Sequence, residues 1–224
     1  MIHTLQHLVN VYIYLFYAYT NKKYNKNGAK NMKPLHEIIE NSGLEAQLEL
    51  ADIPDIALYM DQVIQLFEKA FNETKRHEDE KILTKTMINN YAKGRLFYPI
   101  KNKQYTKNHI ILISLIYHLK GTLMLKDIKS LLEPLNNQVV EDKFPLETFY
   151  EEHTDLVKQL IKQVKENMIH LSDRVSDVVE IEGPETTYIE QLHIILLFSE
   201  ISQAYRRIAE KLVDEINATF NEQK

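Results

Sequence analysis

Lys85, Asn89 and Lys93 recur every four residues, and Thr86 and Asn90 do so beside them. On a helix these five would share an arc of about 140°, while Met87, Ile88 and Tyr91 would fill an opposite arc of about 100°. One face is then apolar. The other carries ammonium and carboxamide groups with no carboxylate among them. That is the chemistry of a nucleic-acid surface. Lysines neutralise phosphates, and an asparagine can bond in bidentate fashion to adenine in the major groove. Thr84 is placed to cap the helix at its start, and Gly94 is suited to a left-handed cap at its end. Arg95 follows. Lys101-Asn102-Lys103 then reads as a tight turn between two very short strands, Phe97–Ile100 and Gln104–Tyr105, with two lysines at its tip.

The surrounding charge reinforces this face. No Asp or Glu occurs between Glu80 and Asp127, a stretch that holds eight lysines and one arginine. The whole chain has a net charge of −5, so the rest is correspondingly more acidic. Lysines added for solubility would explain one helix, but they would not explain so long a run without an acid. Double-stranded DNA is the partner expected from this pattern. The alternative is an acidic protein partner bound through the same patch. Other chemistry finds little support. The chain has no Cys, which excludes disulfides, thiolate zinc sites and a cysteine nucleophile. It has no P-loop, no GxGxxG and no GxSxG. The strings "HEDE" at 77–80 and "EEH" at 151–153 read as charged surface, and His109, His118 and His193 as core or edge histidines. No catalytic residue, metal or cofactor is expected, and the protein is read as not an enzyme.

The 224 residues are 44% hydrophobic with few Gly and Pro, which favours a helical protein with a sizeable core. Short helices are expected over Leu35–Glu40 and Gly43–Leu50. A longer amphipathic helix follows Pro54, with Ile56, Tyr59, Met60, Val63 and Phe67 at helical spacing. "YTKNHIILISLIYHLK" begins a nearly all-apolar, buried helix capped by Thr106, and "LMLKDIKSLL" a further short one. Pro134 to Pro145 reads as a linker. Beyond it come a long helix over Leu146–Leu171 and a final one from about Thr187 to Phe220. Ile194, Phe198, Ile201, Tyr205, Ile208 and Leu212 mark a seam on the last helix with the 4-3-4-3-4 spacing of helix–helix contacts.

The order of "LTKTMINNYAKGRLFYP", a lysine-bearing turn, "YTKNHIILISLIYHLK" and "LMLKDIKSLL" resembles the winged helix-turn-helix of mercury-resistance-regulator (MerR-type) transcription factors. In that family a recognition helix ends in a tyrosine, a wing leads to a Tyr-Ser/Thr cap, and a buried helix follows. The span 50–135 also resembles an uncharacterised bacterial family, domain of unknown function 1836. The MerR-type resemblance implies that Lys85, Thr86, Asn89 and Asn90 occupy recognition-helix positions. Tyr91, Lys93 and Arg95 would lie toward the backbone-contacting end, with Lys101, Asn102 and Lys103 on the wing. The chain departs from the MerR-type pattern by lacking an Arg before the tyrosine and by a longer first helix. A charged loop also stands where that pattern has a tight turn.

The fold class expected is therefore mainly α: a MerR-like winged helix-turn-helix domain over 50–135, followed by a long helical hairpin. Residues 32–49 would be a helical extension. Residues 146–223 would serve dimerisation or regulation, the apolar seam closing either within one chain or as a homodimer. The apolar run from Leu8 to Tyr19 covers about 18 Å as a helix, short of a roughly 30 Å bilayer core, so no membrane span is expected. Residues 1–31 are read as a leader from an over-called start, because Met32 opens an ordinary N-terminus and "GAKN" fits a translated ribosome-binding site. A cytoplasmic regulator of transcription is the function expected.

Overall fold

The structure is a computed structural model that describes residues 33–222 except 182 and 184. The expected leader, 1–31, lies outside the described residues. The described chain is mainly helical. In order it runs α1 (Leu35–Glu40), β1 (Leu58–Tyr59), α2 (Met60–Phe71), α3 (Lys85–Gly94), β2 (Gln104–Tyr105), α4 (Lys107–Leu119), α5 (Leu125–Val140), α6 (Leu146–Val178) and α7 (Thr186–Glu222).

The core is built around α4. All residues from His109 to Ile116 on this helix are buried, six of them apolar, with His109 and Ser114 hydrogen-bonded to Thr106 and Tyr150. Around it pack Val63, Phe67 and Phe71 of α2, Ile88 and Tyr91 of α3, Ile128 and Leu132 of α5, and Leu146 and Tyr150 of α6. On α2 the three buried residues stand four apart, so a single stripe faces inward. Phe71 and Tyr117 bring their ring centroids within 4.7 Å.

Several expectations are corrected. The helix expected from Pro54 starts at Met60, because Leu58 and Tyr59 are drawn into an antiparallel pair with Tyr105 and Gln104. Gln62 then caps the start of α2, its side-chain oxygen accepting the Tyr59 N–H at 2.8 Å. The segment Gly43–Leu50 is not a helix. Gly43 has φ +63°, and an added Cβ would lie 2.6 Å from the backbone of Glu73, so the chain turns there against α2's exit. Phe97–Ile100 is not a strand. Pro99 has no N–H to give a ladder, and Phe97 is buried edge-on to Tyr105. The expected linker from Pro134 is helical as far as Val140. Proline in a helix interior costs about 3 kcal/mol. Burial of Leu132 and Val139, and the bond from Asn136 Nδ2 to the Leu96 carbonyl at 2.9 Å, offset it.

The two long helices extend well past the core. Lys165 of α6 reaches Glu45 at 2.9 Å and Glu40 at 3.3 Å, and Lys158 reaches Glu49 at 2.8 Å, so the segment around α1 lies along α6. Val213 of α7 belongs to the core, and Ile194 is buried nearer the hairpin's closed end. Among the described residues no helix is long and apolar enough to cross a membrane.

Candidate nucleic-acid interface

α3 forms where its local sequence dictates. The Thr84 hydroxyl accepts the Met87 N–H at 3.1 Å and satisfies one free donor of the first turn. Ile88 and Tyr91 are buried, while Lys85, Thr86, Asn89, Asn90 and Lys93 are exposed. The split between the two arcs expected from 3.6-residue periodicity is therefore observed. Tyr91 is corrected as a site residue. It is 3% exposed and packs in the core, where burial pushes its phenol up to about 12, so it cannot meet a ligand at the surface.

The end of α3 also differs from expectation. Arg95, rather than Gly94, adopts the left-handed conformation, with φ 56° and ψ 43°. Its N–H bonds to the Ala92 carbonyl, and the Leu96 N–H bonds to that of Tyr91. Gly94 is wanted for space instead. A Cβ there would come within 2.6 Å of the Leu96 side chain. Arg95 is left exposed at the point where the helix ends.

The expected tight turn is present. Asn102 and Lys103 have φ of 53° and 58°, and the Gln104 N–H bonds to the Lys101 carbonyl at 3.0 Å. Positive φ at both central residues is the type I′ pattern, and asparagine is among the residues that tolerate it best. Lys101, Asn102 and Lys103 are all exposed. β2, leaving the turn, is fixed through its pairing with β1, so the loop is tied to the start of α2.

His109 ties the same loop to α4. Its Nδ1 accepts the Thr106 N–H at 3.2 Å and lies 2.7 Å from the Thr106 hydroxyl. Its ring sits 4.1 Å from that of Tyr98. Burial holds its pKa below the ordinary histidine value of 6.5. The folded protein therefore favours the neutral ring. This contribution to stability is complete above pH 6.5 and is lost as pH falls toward the folded pKa. Urea denaturation at pH 7 and pH 5 should show a lower midpoint at pH 5, and a His109→Gln variant should show less of that drop.

Sequence windows missed the acids that approach from elsewhere. Lys85 pairs with Asp61 of α2 at 2.7 Å. Lys107 is held by Asp55 at 2.8 Å and Glu147 at 3.2 Å, and Lys120 lies over the Tyr117 ring. These two lysines of the acid-free stretch are engaged away from the α3 face. A groove of about 720 Å³ beside Arg95 is bordered by Glu133 and Glu141. Among the described residues, Lys93, Arg95, Lys101 and Lys103 have no carboxylate at ion-pair distance. Asp61 could have been suspected from the sequence only by knowing that the first turn of α2 lies beside the first turn of α3. Among the described residues no three His, Asp or Glu gather as a metal cluster.

Residues 48–153 match a family described as a domain of unknown function, DUF1836. The matched span takes in α3, the turn and α4, and extends past α5 into the first turns of α6. It includes both Leu48 and Tyr150, whose hydrogen bond closes the core. No curated protein and no solved structure matches the chain.

Proposed function

We propose that residues 50–135, within the DUF1836 match, act as a MerR-like winged helix-turn-helix that binds double-stranded DNA in transcriptional control. α3 is the recognition helix and the turn Lys101–Gln104 is the tip of a short wing. The observation that carries the reading is the exposed face of α3. Five cationic, hydroxyl and amide side chains of α3 stand there, Lys85 being met by the Asp61 carboxylate of α2, and Ile88 and Tyr91 back them in the core. Lys93, Arg95, Lys101 and Lys103 are available for phosphates, while Asn89 and Asn90 offer the geometry for reading adenine edges. The element order supports the same reading. A helix, a second helix with an open polar face, a tight turn, a strand returning to β1 and a buried helix follow one another. Lys85, bonded to Asp61, would have to exchange that carboxylate for a phosphate, which an exposed pair does at little cost.

Fluorescence anisotropy with mixed-sequence duplex DNA at several salt concentrations tests the reading. Binding should weaken steeply as salt rises, with a slope of about −0.9 per phosphate neutralised. Selection for a preferred sequence should then find one bound more tightly than scrambled DNA. Absence of binding at low salt, by folded protein, would reject DNA and turn the search to an acidic protein partner.

A further inference from the structure

The groove of about 720 Å³ beside Arg95 has one regular wall. Glu133, Asn136, Asn137, Val140 and Glu141 stand three and four residues apart on α5 and its C-cap, so they share one stripe. The other wall is the loop from Phe97 to Ile100, with Arg95 before it.

Three features of this groove call for a ligand. The first is charge. Arg95 and Glu133 border the same space, yet among the described residues neither has an ion-pair partner, and they do not reach each other. Neither backbone can close the gap. Arg95 is fixed by the left-handed turn that ends α3, and Glu133 by the middle of α5. Glu141 differs, being paired with Lys143 at 2.7 Å. The second feature is Asn136, which is 7% exposed. Its Nδ2 is engaged by the Leu96 carbonyl, and its Oδ1 is buried with no donor. Buried acceptors are nearly always satisfied, so an orphan points to a missing group. That oxygen is closed to water, and a ligand reaches it by parting the side chains above it. The third is Val140, an apolar lining residue left 62% exposed. We infer that the groove binds a short apolar peptide with free ends, its carboxylate at Arg95, its ammonium at Glu133 and its backbone N–H groups at the α5 amides.

Charge and length choose this class. An organic cation would meet Arg95, and an organic anion would meet Glu133. A molecule carrying both signs satisfies the two together. From Glu133 to Val140 the stripe rises about 10 Å, at 1.5 Å per residue. Three extended residues span about the same length, at roughly 3.3–3.6 Å each. The volume falls within the roughly 300–1,000 Å³ of small-molecule sites, which are largely apolar with a few placed polar groups. Apolar side chains of the peptide would cover Val140 and lie against Phe97 and Ile100. The inference does not rest on DNA binding, since it concerns the protein without DNA.

Calorimetric titration of the full chain with trileucine tests it. A Kd below about 1 mM is expected. N-acetyl-trileucine and trileucine amide each lack one terminal charge and should bind about 10-fold more weakly or worse. Glu133→Gln should weaken trileucine by a similar factor and leave the acetylated peptide unchanged, because that peptide has no ammonium to lose. Arg95→Asn should act in the same way with respect to the amide, and asparagine tolerates the left-handed turn. Both positions are exposed, so thermal midpoints should be retained. Absence of heat up to about 10 mM trileucine would overturn the inference. Equal affinity for trileucine and its two blocked forms would overturn it as well, marking apolar contact without recognition of charge. Trileucine binding that survives both substitutions would place the peptide elsewhere and have the same consequence. Duplex binding is read separately by anisotropy, so failure of either reading leaves the other standing.

Discussion

A variant with Lys85, Lys93, Lys101 and Lys103 all changed to alanine is expected to bind duplex DNA at least about 100-fold more weakly at low salt. Its salt dependence should be flatter by between about three and four units of slope. All four side chains are exposed, alanine suits the helix at positions 85 and 93, and at 101 and 103 it replaces one exposed side chain bearing a Cβ by another, so the thermal midpoint should stay close to that of the wild type. Lys85 adds a further effect. Its removal frees Asp61, which then faces the phosphates as an unpaired negative charge. Asn89→Ala should behave differently. It should leave the salt slope alone and reduce the preference for the selected sequence by about 1–3 kcal/mol at one base pair. Equal anisotropy titrations for the wild type and the quadruple variant would remove the α3 face from any role in DNA binding. A loss of affinity with the slope unchanged would mean that the lysines act through something other than phosphate.

The difference between what could and could not be read in the sequence follows the range of the interactions. α3 was legible because everything that fixes it is within eleven residues: a threonine cap, a three-residue apolar arc and a polar remainder. The turn was legible because Asn102 tolerates the conformation it needs. What pairs with Gln104–Tyr105 was not, because β1 lies more than forty residues earlier and nothing local distinguishes it from the helix start. The ion pairs of Lys85 and Lys107 were missed for the same reason. An acid-free run in sequence is not an acid-free region in space. Tyr91 is instructive in another way. Helical periodicity assigned it to the buried arc, while the family resemblance drew it toward the ligand. The periodicity prevailed because a tyrosine between Ile88 and the α4 core has nowhere else to put its ring. Pro134 misled because proline marks an exit from a helix only when nothing downstream holds the next turn.

Tyr150→Phe should cost about 2–4 kcal/mol of stability, a large loss from the removal of one oxygen. The residue is 1% exposed. Its hydroxyl lies 2.6 Å from the Leu48 carbonyl and 2.9 Å from the Ser114 hydroxyl. A carbonyl can only accept, so the tyrosine gives its proton to Leu48, and Ser114 must donate in turn to the tyrosine oxygen. One atom thus joins the entry of the core, the centre of α4 and the start of α6. Phenylalanine would leave a buried carbonyl and a buried hydroxyl without partners, each costing about 1–3 kcal/mol. Tyr150→Ala would add a cavity and cost more. Adding Ser114→Ala to Tyr150→Phe should recover part of the loss, because one orphaned group is then gone. The same burial raises the phenol to about 12. The neutral form is favoured in the folded state, so its contribution is complete below about pH 10 and is lost as pH rises toward 12. Tyr91 adds to that alkaline loss, and Tyr150→Phe should remove only its own share. Urea titrations at pH 7 and pH 11 measure both effects. A Tyr150→Phe protein within about 0.5 kcal/mol of wild type at pH 7 would mean that α6 is merely attached to the core, where this hydrogen-bond network makes its first turns part of it.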